Sequence, residues 1–141
     1  MDSGPDRRRI PGWVIAVVCI GALLTGAGAA ISLIDPALLL APGEAVTGGV
    51  QTYAGYLFSR DLAMAAALLI ALGLRRPRLL AAFMALTAAV QILDVMVDAA
   101  TARWALVPGL TVFAATFAFG ASRLVGSGLR VEKSRTDEAH S

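Results

Sequence analysis

The chain has 141 residues, of which 57% are hydrophobic and only 16% charged, and its mean hydropathy is +0.73. A water-soluble domain carries about 25% charged residues, so the polar material needed to coat a water-facing surface is missing. The small net charge of +2 gives no footprint for a nucleic acid, and one cysteine (Cys19) with one histidine (His140) excludes an intramolecular disulfide, a CxxC redox centre and paired-histidine metal or haem ligation.

The expectation is an all-α polytopic membrane protein: a four-transmembrane-helix antiparallel bundle with both termini cytoplasmic. The N-terminal segment, residues 1–12, carries Arg7, Arg8 and Arg9. The first apolar span runs from about Trp13 to Ile34. An arginine-led oily run ending near Ala27-Gly28-Ala29 resembles a signal peptide, but it continues through AISLI, beyond the usual 7–15 residues of such a core. A retained helix is therefore expected. Within it Gly21, Thr25, Gly28 and Ser32 follow 4-3-4 spacing and share one face, which would let a second helix approach closely in lipid. Cys19 is expected to serve as a small packing residue.

A long link, DPALLLAPGEAVTGGVQ (35–51), follows, too rich in glycine and proline for a fifth span. Its PALLL segment is expected along the membrane interface. The second span runs from about Thr52 to Leu74 and places Arg60 and Asp61 side by side inside it. Each such charge costs roughly 3 kcal/mol at the centre of a bilayer. Tyr53, Tyr56 and Arg60 lie 3 and 4 residues apart, on one stripe.

The basic turn RRPR leads into the third span, from about Leu79 to Ala100. There Thr87, Gln91, Asp94 and Asp98 are spaced 4, 3 and 4 apart on a single stripe. The fourth span runs from about Trp104 to Leu124, with Pro108 near its start, where proline is tolerated. The remainder, 125–141, is polar and mixed in charge and is expected to be a disordered cytoplasmic tail holding His140.

Orientation follows from the arginines. If four spans alternate, Arg7–Arg9, Arg75, Arg76, Arg78, Arg123, Arg130, Lys133 and Arg135 share one side, opposed by Arg103 alone. Trp13 at the inner boundary, with Tyr53, Tyr56 and Trp104 at the outer one, fits aromatic belts. The strong preference for arginine over lysine, with abundant alanine, suggests a GC-rich bacterial genome, and the expected location is the bacterial inner membrane.

Matched depth suggests what neutralises the charges. Arg60 lies roughly 10 Å inside the outer end of span two, and Asp94 roughly 10 Å inside the outer end of span three, at 1.5 Å per residue. An Arg60–Asp94 pair is expected across the tight turn between these helices. Asp98 is expected nearer the interface, able to share Arg60 or to meet water. Gln91 is expected to hydrogen-bond into the cluster from one turn deeper, and Tyr56 is expected to join it near the level of Asp98. Asp61 should point away from its neighbour, toward Thr111 or Thr116 or a polar group of the first span. Three acids then face two bases, counting Arg103. Such a cluster either fixes helix register or forms a ligand or proton site, and the residues leave both open.

The segments RDLAMAAALLIALG, RRPR and QILDVMVDAAT together resemble the DoxX-like superfamily of small bacterial membrane proteins, over about residues 50–125. That resemblance implies a four-helix bundle, in some members tied to redox complexes. The residues themselves suggest a non-enzymatic accessory or small-ligand-binding protein with an Arg-Asp cluster near the outer leaflet and no cofactor or metal. Its expected partners are the lipid bilayer, a lipid or quinone-like ligand, and a second membrane protein or another copy of itself. The alternative is a small proton-coupled transporter using Asp94 or Asp61. Four-span multidrug exporters differ in carrying their essential acid in the first span, which here has no charge before Asp35. An enzyme acting on a lipid or quinone through Asp94 is the least favoured reading, for want of a histidine, a reactive cysteine or a metal-ligand cluster.

Overall fold

The computed structural model describes residues 10–40, 44–101 and 103–138, with side chains at 10–38, 40, 44–101 and 103–126. The arginines at 7–9 and His140, to which the sequence reading gave topological and tail roles, lie outside the described residues. The described chain is all-helical. It comprises α1 (Gly12–Ile34), a one-turn 3₁₀ segment η1 (Pro36–Leu39), α2 (Gly48–Gly73), α3 (Pro77–Ala100) and α4 (Val107–Glu138). Each long helix contains a stretch long and apolar enough to cross a membrane, and the architecture is that of a multi-pass membrane protein.

Local chemistry sets the helix ends. Asp35 breaks α1, and its carboxylate accepts the Ala37 N–H at 3.2 Å, starting η1 with Pro36 in the first turn. PALLL thus forms a single 3₁₀ turn. Thr47 caps α2, its hydroxyl accepting from Val50 N at 3.4 Å. At the other end of α2, Arg75 N donates to Leu72 O at 3.0 Å and Arg76 N to Ala71 O at 3.4 Å. This is the Schellman arrangement, with Arg75 in the left-handed position (φ 51°) that glycine usually fills. Pro77 then opens α3 at its first position, which explains how three residues, 74–76, reverse the chain.

Two differences from the expected spans stand out. The segment 104–106 is a turn, so α4 begins at Val107 rather than at Trp104. The helix also continues to Glu138, where a disordered tail was expected. Beyond Gly128 the stretch LRVEKSRTDE contains no proline or glycine, so nothing in it breaks the helix.

The helices form a ring in chain order: α1 packs chiefly on α2, and α3 on α4, with α2–α3 and α1–α4 contacts closing it. The small-residue face of α1 turns inward, since Gly21, Thr25 and Ser32 are buried; Gly28 alone is exposed. At Gly21 a β-carbon would collide with the Phe117 ring, and at Gly120 one would meet the Met84 methyl, so these two glycines permit the closest helix approaches. Large apolar side chains point outward instead, as at Leu23, which is 73% exposed. This inside-out distribution suits hydrocarbon rather than water.

The core is unevenly filled along the bundle axis. At the end bearing the RRPR turn, Val14, Val18, Leu68, Leu80, Met84 and Phe117 pack solidly. Phe113 and Phe117 stack there with ring centroids 4.6 Å apart. At the η1 end the four helices instead line a cavity that opens to the outside.

Candidate functional site

The cavity holds about 580 Å³ and takes its walls from all four helices and η1. Thr25 and Gly28 of α1, Tyr53 and Leu57 of α2, and Leu110 and Phe113 of α4 supply much of its surface. Its polar wall is the cluster Arg60, Asp61, Gln91, Asp94 and Asp98, together with Arg103. That volume lies in the range of about 300–1,000 Å³ typical of small-ligand sites.

Arg60 is the hub. Its two terminal nitrogens donate to the two carboxylate oxygens of Asp94, at 2.9 and 3.0 Å, and its Nε donates to Asp61 at 2.9 Å. The two-pronged contact uses the planar fork of the guanidinium, which a lysine could not reproduce. The Arg60 side chain keeps 36% of its surface exposed and that of Asp94 27%, while Asp61 keeps 13%. The more deeply buried acid is therefore the one next to Arg60 in sequence.

That placement corrects the expectation for Asp61. Ala54, Asp61 and Leu68 lie seven residues apart, and the buried Ala54 and Leu68 show that this face of α2 points inward. Asp61 enters the bundle directly, and Arg60, at the edge of that face, curls its long side chain back to meet it. Thr111 and Thr116 take no part. Their hydroxyls donate to Val107 O and Val112 O of their own helix, each at 2.7 Å. The same geometry removes Tyr56 from the site: at 73% exposed it lies on the outer side of Arg60, and Tyr53 lines the cavity instead.

On α3 the stripe faces inward as spaced: Thr87, Gln91 and Asp98 are buried and Asp94 is half-buried. Thr87 is satisfied within its own helix, donating to Phe83 O at 2.8 Å. Asp98 is buried within the bundle, and it faces Arg103 rather than Arg60, with 3.6 Å between the nearest charged atoms. The short α3–α4 link makes this contact, because Arg103 N donates to Asp98 O at 2.8 Å and so returns the chain over the end of α3. Gln91 does not bond into the cluster. It is only 7% exposed, and its Oε1 has no hydrogen-bond partner among the described residues. A buried acceptor left unpaired costs about 1–3 kcal/mol, so the wall's hydrogen bonding is incomplete at Gln91.

The lining contains no set of three metal-ligating side chains among the described residues, and Cys19 lies outside it. Sequence reasoning found the charged residues but missed the cavity itself. The signal available was the pair Gly28 and Gly109, both at the lining with open space where a side chain would be. No family model, curated protein or solved structure matches the chain.

Proposed function

We propose that this is a non-enzymatic, DoxX-like protein of the bacterial inner membrane that binds a small amphipathic ligand in the cavity of its four-helix bundle. With both termini cytoplasmic, as the arginine distribution favours, the cavity lies in the outer leaflet half. The observation that carries this reading is the contrast along one bundle, between a fully packed half and a half hollowed around a polar wall. Helix register alone needs the Arg60–Asp94 pair but not an empty space beside it.

The test is ligand retention. Protein extracted in mild detergent is expected to carry one small molecule per chain in native mass spectrometry. Gly28→Leu, which grows into open cavity space, is expected to expel it while leaving the fold intact. A chain free of adduct, with Gly28→Leu changing only its stability, would refute the reading. The surplus of carboxylates over guanidiniums supports a second reading, a small proton-coupled transporter. For that, reconstituted protein should couple substrate movement to a pH gradient and lose the coupling in Asp61→Asn or Asp94→Asn.

A further inference from the structure

We infer that the ligand is an amphipathic amine, with a protonated ammonium head that donates to Gln91 Oε1 and to the neighbouring carboxylates while its apolar body lies against the helix walls. This rests on the small-ligand reading and names its chemical class. Two independent observations carry it.

The first is charge. Asp61, Asp94 and Asp98 face the cavity against Arg60 and Arg103, leaving one negative charge in excess. That balance counts the described lining residues. The second is hydrogen bonding. Arg60 already spends three of its N–H groups on Asp61 and Asp94, whereas the carboxylate of Asp98 stands 3.6 Å from the guanidinium of Arg103, beyond hydrogen-bond length. Gln91 Oε1 is buried with nothing to accept from. A glutamine amide can present either end, and the excess of carboxylate selects its carbonyl.

Gln91 lies three residues from Asp94 on the same stripe, about 4.5 Å along the axis at 1.5 Å per residue. Asp61 and Asp94 share one guanidinium. In the inferred complex one ammonium bridges the glutamine carbonyl and this carboxylate pair, and its N–H groups supply the donors that the wall lacks. A fatty-acid or quinone head would bring further acceptors to a surface that already has too many. The apolar body follows Leu24, Ile31, Leu110 and Phe113, which line the remainder.

The experiment uses the full chain in phosphatidylcholine nanodiscs, titrated calorimetrically at neutral pH with octylammonium, octyltrimethylammonium, octanol and octanoate. Empty nanodiscs provide the partitioning baseline. Octylammonium is expected to saturate at one per chain. Octyltrimethylammonium, a cation without an N–H donor, should bind about tenfold more weakly, as should octylammonium to Gln91→Leu or Asp61→Asn. Gln91→Glu, which keeps the shape and adds a carboxylate, should tighten octylammonium binding, so a folding defect in Gln91→Leu leaves the inference testable. Octanol or octanoate binding as tightly as octylammonium, or no saturable binding by any probe, would overturn it. If no probe is selected while a co-purifying molecule is still expelled by Gly28→Leu, the amine inference falls and the binding reading stands. If no molecule co-purifies either, both fall.

Discussion

Removing Arg60 should damage this protein more than removing Asp94, and the inequality follows from how the guanidinium is shared. Arg60→Gln strands two carboxylates, one of them with a side chain only 13% exposed, whereas Asp94→Asn leaves Arg60 its bond to Asp61. Breaking a buried ion pair typically costs 3–5 kcal/mol, and a hydrogen bond to a charged group contributes about 1.5–3 kcal/mol. The partial exposure of Arg60 and Asp94 argues for the lower part of both ranges. The expected losses are then about 3 kcal/mol for Arg60→Gln and about 2 kcal/mol for Asp94→Asn. In the double variant Asp61 alone is left without its partner, so the loss should stay near 3 kcal/mol, a coupling of about 2 kcal/mol. The assay is reversible unfolding in mixed detergent micelles, titrated with a denaturing detergent and followed by circular dichroism. A double variant whose loss equals the sum of the singles, or Asp94→Asn costing more than Arg60→Gln, would refute the shared-guanidinium arrangement.

The two small-residue positions of α1 should respond in opposite directions. Gly28→Ala meets open space and should stabilise by about 1 kcal/mol through helix propensity, while Gly21→Ala must displace the Phe117 ring and should destabilise by about 1–3 kcal/mol, both read in the same unfolding assay. Arg75→Gly relieves a left-handed backbone and should raise stability by about 1 kcal/mol, unless the lost positive charge inverts the topology, which a reporter fused after Ser141 would reveal. With Cys19 first changed to Ser, a cysteine at Val46 should react from outside intact cells with a membrane-impermeant maleimide, whereas one at Arg76 should react only after the cells are opened.

Most of the scaffold was legible because bilayer physics leaves few choices: four runs of about 20 apolar residues can only be helices. The α3 stripe was equally readable, since 4-3-4 spacing puts Gln91, Asp94 and Asp98 on one face whatever their neighbour. What failed was the inward direction of α2. The tyrosines and Arg60 drew attention to one stripe, while the face that enters the bundle is marked by the unremarkable Ala54 and Leu68. Position along a helix also says little about a long side chain, which is how Arg60 reaches an adjacent residue that backbone geometry turns away from it. The cavity left no motif, because empty space is a property of how four helices meet and not of any one of them.

The lopsided filling of the bundle implies a gradient in how firmly each helix holds its backbone. Amide hydrogens near Val18, Leu68, Met84 and Phe117 should exchange only when the whole protein opens, while those around Thr25, Leu57, Asp94 and Leu110 should exchange through smaller, more frequent excursions. The helices can thus splay at one end like the jaws of a clothes-peg with the spring end shut, giving a molecule dissolved in the bilayer a way in without unfolding the rest.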